Sequence, residues 1–86
     1  MKFYTLDQIP EPSKNIELEG MSDDILIFEK NEELGVHYSV KGFYDFSLNR
    51  FMHEGPHPEP IEKVLSTPYY WCYVPDLKQY LKENEI

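Results

Sequence analysis

The feature that most constrains this chain is a change of hydrophobic period between Asp24 and Phe46. The run Asp24-Ile25-Leu26-Ile27-Phe28-Glu29 sets four apolar residues between two acids. Its length and isoleucine content suit a strand, and with no polar residue inside the run it reads as a strand buried on both faces. Lys30-Asn31-Glu32-Glu33 follows as a polar turn. Leu34, Val36, Tyr38 and Val40 then alternate with Gly35, His37, Ser39 and Lys41, the period of two expected of a strand with one face in a core. Lys41-Gly42 predicts a two-residue hairpin turn, with Gly42 taking the positive φ, and Phe43-Tyr44-Asp45-Phe46 continues as a third strand. Loops this short imply an antiparallel meander.

Downstream the punctuation is proline. His53 to Pro60 holds three prolines and a glycine in eight residues and reads as a loop. Pro10-Glu11-Pro12 and Pro58-Glu59-Pro60 repeat one tripeptide, and each predicts a rigid extended stretch. Ile61-Glu62-Lys63-Val64-Leu65 fits a helical turn or a strand, and five residues do not decide between them. Tyr69-Tyr70-Trp71-Cys72-Tyr73-Val74 is aromatic and strand-like. Asp76, with Gln79 three residues on, predicts an N-cap for a helix to about Asn84, with Leu77, Tyr80 and Leu81 on one face and Lys78 and Lys82 on the other. At 86 residues and 41% hydrophobic content there is material for one core. The fold expected is therefore α+β: a single domain over 1–86, an antiparallel sheet of about four strands, and a C-terminal helix packed on one face.

Charge narrows the function. The chain carries 8 basic and 16 acidic residues, a net charge of −8, which argues against direct contact with a phosphate backbone. Residues 16–33 hold Glu17, Glu19, Asp23, Asp24, Glu29, Glu32 and Glu33 against Lys30 alone. Such a stretch is either a solvated rim or an acidic face for a basic partner. The single Cys72 can form no internal disulfide, the first residues lack an apolar run of signal-peptide length, and no stretch is apolar enough to cross a bilayer. A cytoplasmic protein without membrane contact is the expectation.

Three short stretches, Ile9-Pro10-Glu11, Ile25-Leu26-Ile27-Phe28 and Tyr70-Trp71-Cys72-Tyr73-Val74-Pro75, fall in an order that resembles a family of small domains of unknown function, number 551 in that series, found largely in phage and prophage genes. Members of that family typically carry a Leu-Pro-Glu near the start, a Val-Leu-Val-Tyr-like strand, and a closing Thr-His-Trp-Met-Pro-Leu-Pro. The chain departs from the pattern at Tyr70, where the family prefers histidine, at Tyr73, where it prefers proline, and in its terminal helix. The resemblance implies a small sheet fold and a mobile-element origin, and it brings no functional residues.

Catalytic chemistry finds little support in the residues. His53 and His57, with Glu54 and Glu59, have ligand chemistry, but Gly55 and Pro56 break the helix on which a four-residue histidine spacing binds zinc. Cys72, flanked by Trp71 and Tyr73, reads as a buried, inert thiol. The four glycines are isolated, so no phosphate loop exists. No enzyme activity, metal or cofactor is expected. The aromatic residues say more. On a strand Tyr69, Trp71 and Tyr73 share one face, while Tyr70, Cys72 and Val74 share the other. Either the sheet is covered on both sides or one aromatic row is exposed, and exposed aromatics are typical interface anchors. The candidate partner-binding residues are thus Tyr69, Tyr70, Trp71 and Tyr73, with Asp23, Asp24, Glu32 and Glu33 as the acidic alternative. The function expected is an accessory domain that docks on another protein. The alternatives are an acidic mimic of nucleic acid that inhibits a nucleic-acid-binding protein and, more remotely, a metal-dependent hydrolase.

Overall fold

The computed structural model describes residues 2–31 and 36–83, and within them the side chains of all but 30–38 and 76–80. These residues form one antiparallel sheet of six strands: β1 (Tyr4–Thr5), β2 (Ile25–Asn31), β3 (Val36–Asp45), β4 (Arg50–His53), β5 (Glu59–Pro60) and β6 (Pro68–Tyr73), in the order β1-β6-β2-β3-β4-β5. One helix, α1 (Val74–Glu83), and two single 3-10 turns complete the fold. The expectation of an α+β domain with about four strands is therefore corrected to a mostly-β domain. The extra strands are β1 and β5, pairs of residues too short to leave a periodic signal.

Alternation places Ile25 and Ile27 of β2, Tyr44 of β3, Phe51 of β4 and Trp71 of β6 on one face, where all are buried. Ile61 and Leu65 close this core from the turn Ile61–Lys63, which settles the undecided segment as helical. Tyr4, Leu6, Val40, Phe46 and Tyr73 pack around it. Rings carry much of the packing: Tyr4 stacks on Trp71 at 4.4 Å, and Phe51 meets Tyr44 edge-on at 5.0 Å. Such pairs add about 0.5–1.5 kcal/mol each beyond buried area. The segment before β2 is latched by Ser22, whose buried hydroxyl accepts the Tyr44 N–H at 2.8 Å and donates to the Asp23 carbonyl.

The run at 25–28 is not buried equally on both faces. Ile25 and Ile27 are sealed in the core, whereas Leu26 and Phe28, facing the other way, are half-buried. The predicted turn at Lys41-Gly42 is absent: β3 runs straight through it, with Gly42 opposite Ile25 on one side and His53 on the other. Gly42 is needed for space rather than for φ. A Cβ there would lie 2.2 Å from the Met52 carbonyl oxygen and 3.1 Å from Ile27 Cδ1. The chain reverses instead at 46–49. Asp45 Oδ1 accepts the Ser47 N–H, the Ser47 hydroxyl and the Leu48 N–H, and Asn49 takes φ 53°, the left-handed region that asparagine tolerates.

Of the predicted proline loop 53–60, His53 ends β4 and Glu59–Pro60 forms edge strand β5, a position where proline costs no ladder bond. The helix starts two residues before the predicted cap at Asp76. Val74 donates its N–H to the Asp24 carbonyl at 3.1 Å, and Pro75 occupies the first turn, where a missing N–H is harmless. The side chains of Asp76, Leu77, Lys78, Gln79 and Tyr80 lie outside the described residues; Leu81 is exposed. Glu32, Glu33, Leu34 and Gly35 also lie outside them. Among the described residues no helix is long and apolar enough to cross a membrane.

Candidate protein-docking surface

β6 is the second strand from one edge, and its two faces lead to different surroundings. On the core face Trp71 is sealed, its Nε1–H donating to the Gln8 carbonyl at 2.8 Å. Tyr73, half-buried beside it, accepts the Glu11 N–H on its hydroxyl at 3.1 Å and meets Trp71 edge-on at 5.0 Å. Burial pushes the Tyr73 phenol above its ordinary value of 10.0, and the nearby Glu11, Tyr4 and Asp23 charges push the same way. These two rings therefore fasten the segment 8–12 across the sheet.

The opposite face holds a second aromatic group. Phe28 and Tyr70, opposite each other in the ladder, stack at 5.0 Å with their planes 10° apart. Phe3 packs edge-on against both, at 5.8 Å from Phe28 and 5.4 Å from Tyr70. A bulge extends the group: Phe28 pairs with Tyr70 but Glu29 pairs with Pro68, so Tyr69 is the extra residue. Its ring meets Tyr70 edge-on at 5.8 Å. The bulge is held where the Glu29 carboxylate accepts the Thr67 N–H at 3.0 Å. Phe3 and Tyr69 remain 47% and 53% exposed, so the four rings form an apolar patch open to solvent.

The bulge corrects the facing expected along this strand, because Tyr69 no longer shares a row with Trp71 and Tyr73. Of the four aromatic candidates, Tyr69 and Tyr70 belong to the open patch, while Trp71 and Tyr73 belong to the core face. Phe3 and Phe28 are additions. Phe28 was hidden in a run that reads as wholly buried, and Phe3 lies just before β1, a strand too short to recognise.

Of the acidic candidates, Asp23 and Asp24 are among the described residues. Asp23 is exposed and accepts the Ser13 hydroxyl at 2.5 Å. Asp24 and Glu54 share Lys41, at 3.3 and 3.2 Å, and these two hydrogen bonds, Glu54's first, raise the lysine above its ordinary value. Glu32 and Glu33 lie outside the described residues. His53 is half-buried in β4 and His57 exposed in the loop beyond it. Among the described residues no three ligand-type side chains converge. Cys72 is fully buried on the patch's face of β6. Compared with known proteins, the chain matches no family model, no curated protein and no solved structure.

Proposed function

We propose that the protein is an accessory binding domain that docks on another protein through the ring cluster Phe3, Phe28, Tyr69 and Tyr70. The observation that carries this reading is the pair of half-exposed rings, Phe3 and Tyr69, held at fixed geometry on a stacked base. Preordered aromatics bury large area on binding with little further loss of entropy, which is why they recur as energetic anchors. The resemblance to a phage and prophage domain family makes a host protein the natural partner. No observation favours a metal-dependent hydrolase.

The acidic mimic is the poorer reading, because Asp24 and Glu54 are engaged with Lys41 rather than presented as a regular array. The test is capture from host lysate with the intact chain as bait, run beside Tyr69→Ser and beside Asp23→Asn with Asp24→Asn. Loss of one specific partner with Tyr69→Ser, and its retention by the charge-neutral bait at raised salt, supports docking. The reverse pattern supports the mimic.

A further inference from the structure

The core face of β6 opens onto a groove of about 640 Å³ between the strand and the segment 8–15, within the size range of ligand sites. Its apolar wall is Tyr4 and Tyr73, half-buried rings that meet edge-on at 6.1 Å and both pack on the sealed Trp71, with Pro12 and Pro75 in the same lining. Gln8 and Asn15 contribute amides, and the exposed Glu11, Lys14 and Asp23 also line it. This groove is on the opposite side of the sheet from the ring cluster and does not depend on it.

The wall already holds one proline-bearing stretch of this chain. Trp71 donates its Nε1–H to the Gln8 carbonyl at 2.8 Å, the Tyr73 hydroxyl accepts the Glu11 N–H at 3.1 Å, and Pro10 between them is buried. Pro12 then bridges to Ser22, so the stretch is a built side of the groove rather than its occupant. The hydrogen bonds within the chain also determine which groups the groove has left to offer. Tyr73 accepts from Glu11 and keeps its own O–H to donate. The Gln8 and Asn15 side-chain oxygens accept the Thr5 and Glu17 N–H groups at 3.3 and 3.0 Å, which leaves both NH₂ groups as donors. Neutral donors beside two tyrosine rings match a ligand that is apolar and rich in carbonyl acceptors but poor in N–H groups. A proline-rich strand has that make-up, and its preformed polyproline helix docks in aromatic-lined grooves with little loss of entropy. We propose that this groove binds a proline-rich segment of a partner protein, laid beside the chain's own Pro10-Glu11-Pro12, with prolines on Tyr4 and Tyr73 and carbonyls accepting from Tyr73, Gln8 and Asn15.

The experiment uses the whole protein and two blocked peptides of equal length, acetyl-hexaproline-amide and acetyl-(Gly-Ser)₃-amide. Both present a run of carbonyls, but only the first is preformed and free of backbone N–H groups. Binding is followed through the Tyr4, Tyr73 and Trp71 ring resonances. Hexaproline is expected to shift these rings saturably with a dissociation constant of about 1 mM. The Gly-Ser peptide should bind at least about tenfold more weakly, since it must be ordered on binding and brings no rings to the wall. Gln8→Glu combined with Asn15→Asp keeps the oxygens that hold Thr5 and Glu17 and removes both amide donors. The fold should be retained while hexaproline binding falls about tenfold. An unchanged affinity in this double variant would overturn the proposal. So would equal binding of the two peptides, saturable shifts confined to Phe3, Phe28, Tyr69 and Tyr70, or no saturable shift up to about 10 mM.

Discussion

At the scale of single residues, the fold depends on side chains whose role is spatial rather than chemical. Gly42 reads from sequence as a turn former because glycine before an aromatic run usually is one. Its actual task is to let the β4 backbone approach β3 across the hairpin that reverses at 46–49, a cross-strand contact that the residues around Gly42 do not reveal. Gly42→Ala should therefore cost about 2 kcal/mol or more, through forced displacement of the Met52 carbonyl. Urea unfolding should show a lower midpoint at unchanged slope. Asp45 reads as part of a strand, yet it organises the reversal that follows. The Ser47 hydroxyl bond holds its carboxyl below the ordinary 3.8. A depressed carboxylate stabilises the native state above its unfolded value, and that contribution is lost as pH falls through the lower folded value. Asp45→Asn should accordingly flatten the acid limb of the stability–pH curve. Tyr73 acts at the other end of the scale. Its raised value makes a contribution that is complete below pH 10.0 and lost as pH rises from there through the folded value.

At the scale of elements, β2 and β6 were legible because each packs enough apolar or aromatic residues to read alone. The strand pattern also located Cys72 correctly: it is fully buried, as its apolar neighbours imply. Native protein should react slowly with a thiol reagent and rapidly once unfolded, and fast stoichiometric labelling of folded protein would contradict that burial. What could not be read were the two-residue strands β1 and β5, whose partners supply all their definition, and the bulge at Tyr69. The bulge arises from the pairing of Glu29 with Pro68, a relation between two segments rather than a property of either. It matters for the site, because it turns Tyr69 from a member of the core row into an exposed ring. Ile27, by contrast, lies where sequence and structure agree, and Ile27→Ala should cost about 2–5 kcal/mol as a sealed core deletion.

At the scale of the whole molecule, the sheet separates a sealed core with a charged groove from a face that ends in an open aromatic cluster. The aromatic strand drew attention in the sequence, but which rings would be core and which would be surface was decided by β1 and by the bulge. The acidic stretch was equally visible; among its described members Asp24 pairs with Lys41, Asp23 accepts the Ser13 hydroxyl and Glu29 accepts the Thr67 N–H. The central claim is that the open cluster is the docking surface. Cross-saturation from the captured partner to isotope-labelled protein tests it most directly, because the transferred signal marks the buried protons whatever the partner is. The expected result is strongest attenuation at Phe3, Phe28, Tyr69 and Tyr70, with little at Asp23 and Asp24. Attenuation centred on Asp23, Asp24 and the neighbouring acidic segment, with the ring cluster untouched, would contradict the account.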